Sequence, residues 1–273
     1  MRVHLIQMNI GWENRHKNFA GVHRLLEGIG ITPGDLLVLP EMFDSGFSLR
    51  TAITHDGTGE TLTFLRTLAI DLGCTVQGGR TVLGPAGGRA TNRAPVFDGA
   101  GTLLTEYAKI HPFSFGREPE AFEGGPGVTT YKWAGPDPDS LAVCPAICYD
   151  IRFPELFRLG LLAGAEAFAI GANWPAARQA HWRALAVARA IENQAFVFAV
   201  NRTGRDPHLE YAGGSIVVGP RGETLGELGD EEGVLTVEVD AGAVRSWRET
   251  FPAWRDIRLI GNRGAAPGGG DDA

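Results

Sequence analysis

Residues 141–156, LAVCPAICYDIRFPEL, run from an apolar strand through a short turn into a helix, and they hold two of the three cysteines in the chain. SLAVC reads as a buried strand and RFPELFRLGLLAGA as a helix, so Cys148 falls in a strand-to-helix turn. Cys144 and Cys148 are separated by three residues, not the two of a C-x-x-C pair, Pro145 lies between them, and Cys74 is far away inside another strand. A structural zinc site needs four soft or imidazole ligands at short spacings, so no metal is expected. Cys144 reads as a small core hydrophobe. Cys148 sits where backbone N–H groups at a turn favour an anion, and a thiol there becomes a nucleophile when a base or cation is near.

Outward from this stretch the pattern is strand, helix, strand. EAFAIGAN is a strand, AARQAHWRALAVARAIENQ a helix of four to five turns, and AFVFAVNRTG a further buried strand. Upstream, VHLIQMNI is a first strand, and Phe19, Val22, Leu25, Leu26 and Ile29 share a helical face. DLLVLPE is a short buried strand that delivers Glu41 at its carboxyl end. GETLTFLRTLAIDLG is a helix ended by Gly73, CTVQGGRTVLG a strand, and RAPVFDGAGTLLTEYAKIH a hairpin around FDGAG. Residues 112–127, PFSFGREPEAFEGGPG, have no period and read as an excursion over the surface or a site. GGSIVVGPRGETLGELGDEEGVLTVEVD gives two or three antiparallel strands, and NRGAAPGGGDDA reads as a disordered tail. This is an α/β chain. The strands outnumber the long helices, a ratio that two sheets sharing an inner apolar interface would satisfy; a single mixed sheet is the competing arrangement, which periodicity alone does not exclude.

The gross numbers narrow the function. At 273 residues the chain can bury about 75% of its extended surface in one core. A formal net charge of −7 disfavours a broad nucleic-acid footprint. No apolar run reaches the length of a membrane span, no leader segment is visible, and an odd number of cysteines suits a reducing compartment, so a cytoplasmic location is expected. No Walker or G-x-G-x-x-G signature occurs, and no cofactor is expected. Only 3 of the 25 basic residues are lysines, Lys17, Lys109 and Lys132, which makes each worth asking about; Lys109 ends LLTEYAK, where its ammonium either snorkels to the surface or faces inward beside carboxylate and thiol. Glutamate, ammonium and thiol together suit attack on an amide or nitrile carbon: Glu41 removes the thiol proton, sulfur attacks, and Lys109 holds the oxyanion. A Cys–His arrangement using His111 or His181 is the rival.

LPEMFDSGF, YAKIHPFSFGREPEAF and ICYDIRFPELFR resemble the three signature regions of the carbon–nitrogen hydrolase family, or nitrilase superfamily, and GANWPAARQAHWRALAVARAIENQAFVFAVNRTG and YAGGSIVVGPRGE extend the likeness. The resemblance implies Glu41 as general base, Lys109 as the oxyanion cation, Cys148 as nucleophile and Glu118 as a second glutamate holding Lys109 and substrate or relaying protons. It implies a four-layer αββα sandwich of two mixed β-sheets with outer helices, here a single domain over residues 1–262 with 263–273 as the tail. Pairing into homodimers or larger homo-oligomers is implied too, with Phe153, Leu156, Phe157 and Trp182 as contact candidates. ANWP, HW, ARAIENQ and VNRTG look most like the omega-amidase branch, which hydrolyses terminal amides of short dicarboxylic acid monoamides such as 2-oxoglutaramate and succinamate. Such a substrate carries a carboxylate, for which Arg178 and Arg202 are the candidates. Tyr149 is expected to offer a backbone N–H to the oxyanion, and Phe115 and Trp174 to line the pocket. Amidase, N-carbamoyl-compound hydrolase and nitrilase activities, or an inactive amide-binding protein, are the alternatives.

Overall fold

The computed structural model describes residues 1–85, 88–135 and 140–260; the tail expected over 263–273 lies outside them. The first half runs β1 (Arg2–Gln7), α1 (Arg15–Leu26), β2 (Leu36–Val38), α2 (Thr51–Thr54), α3 (Glu60–Leu72), β3 (Thr75–Gln77), β4 (Arg80–Val82), β5 (Thr91–Phe97), β6 (Leu103–Ala108) and α4 (Glu118–Ala121). The second half runs β7 (Tyr131–Ala134), β8 (Ser140–Ile147), α5 (Pro154–Leu162), β9 (Ala167–Ala172), α6 (Gln179–Asn193), β10 (Phe196–Asn201), β11 (Thr203–Arg205), β12 (Glu210–Ala212), β13 (Ile216–Val218), β14 (Thr224–Glu227), β15 (Gly233–Glu238) and α7 (Ala241–Thr250).

Two mixed sheets result. One has the order β15-β1-β2-β3-β5-β4, with β6 also paired to β5; the other is β14-β13-β10-β9-β8-β7. The central pairs β1–β2, β2–β3, β8–β9 and β9–β10 are parallel and the outer ones antiparallel. The period of two along the strands assigns the layers. Val3, Leu5, Leu36, Val38, Ala167, Ala169, Phe196, Phe198 and Val200 meet between the sheets. Ile6, Leu37 and Leu39 point the other way, against α1 and α3, while Phe168, Ile170, Val197 and Ala199 face α5 and α6. Strands apolar on both faces therefore produce the αββα sandwich. Leu156, Phe157 and Trp182 are buried in the chain's own outer core layer, which accounts for their apolar character without a partner.

The local signals mostly hold. Asn14 caps α1 by accepting the Lys17 N–H, and Gly73, in the left-handed region, ends α3. Two readings change. CTVQGGRTVLG forms two strands, β3 and β4, and both pair with β5. The break falls at Gly78–Gly79 because a Cβ on Gly79 would collide with the backbone of Glu41 and Met42. The C-terminal segment splits between sheets: β13 and β14 extend the second, whereas β15 crosses to pair with β1. The β11–β12 ribbon, β7 and α7 are not among the elements read from the sequence; the ribbon strands and β7 are only three or four residues long.

Candidate active site

Four chain segments end at one place. Glu41 follows β2, Lys109 follows β6, Cys148 follows β8 and Asn173 follows β9. Three of these strands lie in parallel runs, so their carboxyl ends share an edge, and the sandwich brings the edges of both sheets together. Gly171 permits the approach, since a Cβ there would lie 2.7 Å from the Leu39 carbonyl oxygen and 3.0 Å from the Glu41 nitrogen.

Lys109 is the centre of the cluster. Its Nζ donates to Glu41 Oε1 at 2.8 Å and to Glu118 Oε2 and Oε1 at 2.8 and 3.1 Å. All three side chains are essentially inaccessible to solvent. Asn92 Nδ2 bridges the two carboxylates, donating to Glu41 Oε1 at 2.7 Å and Glu118 Oε1 at 3.3 Å. The backbone N–H of Asn173 donates to Glu41 Oε2 at 3.0 Å, and that of Phe113 to Glu118 Oε2 at 2.5 Å. Each carboxylate is thereby held in one orientation. Glu118 arises within the aperiodic 112–127 stretch, which folds back as a short turn and α4.

Cys148 adopts φ 48°, the left-handed region that an L-residue with a side chain enters at a cost of about 1–2 kcal/mol. A buried anion secures the strained turn. Asp150 accepts from the Ile147 N–H at 3.0 Å, the Tyr107 hydroxyl at 2.7 Å, and the His111 N–H and Nδ1 at 3.1 and 2.8 Å. It thus joins the residue before Cys148 to residues on either side of Lys109.

Charge balance sets the resting proton positions. Burial works against ionising Glu41, but Lys109 and the Asn173 N–H outweigh it and leave the carboxyl below its ordinary range. Burial, reinforced by the charge of Glu41, raises Glu118 despite Lys109. Lys109 is opposed by burial, yet Glu118 and Glu41 hold its pKa well above the usual lysine range. Cys148 lies beside Glu41, and burial together with that negative neighbour pushes the thiol well up. A thiolate would add a further negative charge beside one ammonium, so the resting pair is neutral thiol and ionised Glu41.

The cluster opens on a cavity of about 450 Å³ lined by Cys148, Lys109, Asn173, Phe47, Phe113, Tyr149, Trp12, Trp174, Arg152, Arg178, Tyr211 and the 206–209 turn, among others. Trp174 is fixed by its indole N–H to the Arg178 carbonyl at 2.8 Å. The Arg178 guanidinium lies 5.3 Å from the Phe113 ring centroid, and Arg152 lies 4.7 Å from that of Trp174. Among the described residues neither has a carboxylate within ion-pair distance.

Two expected substrate contacts are corrected. Arg202 is fully buried, donates to the carbonyls of Ile10, Arg205 and Thr203, and lies behind Tyr211 rather than on the cavity surface. Phe115 is 84% exposed and turned away, and the cavity takes Phe113 and Gly116 from that segment instead. Asn92, Asn173, Asp150 and Arg152 escaped sequence reasoning. Asn173 had a usable signal, a polar residue closing the apolar run AFAIGA at a carboxyl strand end, as Glu41 does.

A family model described as carbon–nitrogen hydrolase matches residues 2–249. The chain belongs to this family. Among relatives of this carbon–nitrogen hydrolase, it is 33% identical to omega-amidase YafV of Escherichia coli K12 over 94% of this chain and 96% of that one. It is 35% identical to a 2-oxoglutaramate amidase of Bacillus subtilis, over 82% and 85% respectively. The crystal structure of a CN-hydrolase superfamily protein of Xanthomonas campestris, with an arsenic adduct in its active site, superposes with a TM-score of 0.86 at 33% identity, covering 94% of this chain and 97% of that chain.

Proposed function

We propose that this carbon–nitrogen hydrolase cleaves the terminal amide of a small omega-amido carboxylic acid, such as 2-oxoglutaramate or succinamate, through a thioester on Cys148. The observation that carries the reading is the meeting of a thiol, a depressed carboxyl and a buried ammonium on a cavity where Arg152 and Arg178 have no carboxylate within ion-pair distance among the described residues, whereas Arg50 on the same cavity pairs with Glu13. The omega-amidase and 2-oxoglutaramate amidase relatives agree with it.

In the acylation step Glu41 takes the Cys148 proton as sulfur bonds to the amide carbon. The oxyanion forms against Lys109 Nζ and the Tyr149 N–H, a preorganised donor set in a dry site. When the C–N bond breaks, Glu41 passes its proton to the leaving nitrogen and ammonia departs. Water then loses a proton to Glu41 while its oxygen attacks the thioester; the C–S bond breaks, and the proton returns to sulfur. Glu118, bonded twice to Lys109, keeps the ammonium aimed through both steps. The substrate carboxylate pairs with Arg178, and Arg152 adds a second guanidinium on the same cavity.

The test is ammonia release measured across succinamate, 2-oxoglutaramate, glutamine, simple amides, N-carbamoyl amino acids and nitriles, with mass spectrometry of rapidly quenched protein. The expected result is preference for the carboxylate-bearing amides and a mass increment on the Cys148 peptide. Equal turnover of neutral amides removes the carboxylate assignment, and turnover with Cys148 irreversibly blocked removes the thioester.

A further inference from the structure

Arg202 is a buried guanidinium that the chemistry above does not use. It is completely inaccessible, lacks any ion-pair partner among the described residues, and leaves Nη1 without a hydrogen bond. A charge in such a place is costly unless its geometry does something an aliphatic side chain cannot. Nη2 donates to the Ile10 carbonyl at 3.1 Å, the Arg205 carbonyl at 3.2 Å and Asn9 Oδ1 at 3.4 Å, and Nε donates to the Thr203 carbonyl at 3.2 Å. Its flat face lies 4.2 Å from the ring centroid of Tyr211. One planar group therefore ties the 9–10 segment to β11 and props a residue of β12.

Tyr211 passes the restraint on. Its hydroxyl donates to Asp206 Oδ2 at 2.6 Å, while Asp206 Oδ1 accepts the N–H groups of His208 and Leu209 at 2.7 and 2.8 Å. His208 packs edge-on against Trp12, with centroids 5.6 Å apart. Trp12, Asp206, His208, Leu209 and Tyr211 all line the cavity that holds Cys148. Both oxygens of Asp206 are engaged, so this wall presents mainly ring and aliphatic surface. A wall of that kind discriminates by shape, and one methylene in an apolar site changes kcat/KM by roughly 10- to 200-fold.

We propose that Arg202 is a positioning residue for this wall, and that the wall it holds, with Tyr211 and Leu209 at its surface, limits the acyl-chain length of the substrate. The inference rests on the amide-hydrolysis reading for its natural ligand, but not for its geometry. The experiment measures kcat and KM for the monoamides of four-, five- and six-carbon dicarboxylic acids with wild type, Leu209→Ala and Arg202→Met. In parallel, Cys148 is alkylated with iodoacetamide and with the bulkier N-phenylmaleimide.

Leu209→Ala is expected to raise the six-to-four-carbon ratio of kcat/KM by about ten-fold. Arg202→Met is expected to raise KM for all three by about ten-fold while kcat stays within about three-fold, because the reacting groups are untouched. Both variants should speed N-phenylmaleimide relative to iodoacetamide. If Arg202→Met does not fold, Leu209→Ala decides alone, since its side chain sits at a half-exposed hairpin tip. Length and reagent ratios within two-fold of wild type in folded protein overturn the proposal. If wild type releases no ammonia from any monoamide, the amide reading falls, and the wall is judged on the reagent ratio by itself.

Discussion

Cys144 and Cys148 lie four residues apart, both are free and both are buried, yet their surroundings differ in kind. Cys144 lies in the middle of β8 under α5, so close that a Cβ on Gly160 would lie 3.0 Å from its sulfur, and burial, with a smaller contribution from the charge of Asp150, takes its pKa to about 12. Cys148 is pushed up as well, and there the second contributor is the neighbouring carboxylate of Glu41. Burial makes both thiols poor acids. What separates them is the carboxylate and the ammonium beside Cys148. On the proposed mechanism the nucleophile is activated during attack rather than stored as thiolate.

The largest test of that contrast is Cys148→Ala, which should reduce ammonia release by about 10⁴-fold or more while the melting temperature holds, since a small buried group replaces another. Activity surviving at wild-type level would assign the chemistry elsewhere. Lys109→Met should cost roughly 10²- to 10³-fold in kcat through the lost oxyanion partner; because it also leaves Glu41 and Glu118 facing each other, circular dichroism must accompany the kinetics.

The pH profile sharpens the comparison with a smaller effect. Glu41 must be ionised to act as base and its pKa is depressed, so kcat/KM should fall only as pH drops into the carboxyl range. Lys109 is held well above its ordinary range, so no alkaline loss is expected from it near neutrality. Between about pH 6 and 9 the profile should be nearly flat. A rise centred near the free-thiol value of about 8.5 would mean that solvent titration, not Glu41, generates the nucleophile. Least of all, Cys144→Ala should leave turnover unchanged and destabilise the fold by about 1 kcal/mol, read from denaturant midpoints.

The same contrast separates what was legible in the sequence from what was not. Glu41, Lys109 and Cys148 each sit where an apolar strand stops, and a charged or reactive group at that point is visible as a break in the pattern. Asn92 and Asn173 reach Glu41 across 51 and 132 residues of chain, a pairing no local period encodes. Arg178 and Arg202 looked equivalent, each an arginine just past a strand. The structure sends one to the cavity and the other beneath Tyr211, because Arg178 sits in the short turn that opens α6 whereas Arg202 lies directly between β10 and β11. Phe115 offered no period at all within its aperiodic stretch.

By itself the sequence determined the α/β class and the chemical types at the strand ends, because both follow from short-range apolar patterning and the turns that interrupt it. Only the tertiary structure decided which carboxylate, amide and guanidinium groups face one another. Those contacts depend on how two twisted sheets bring distant carboxyl edges together and on which burial energies the resulting charges must balance.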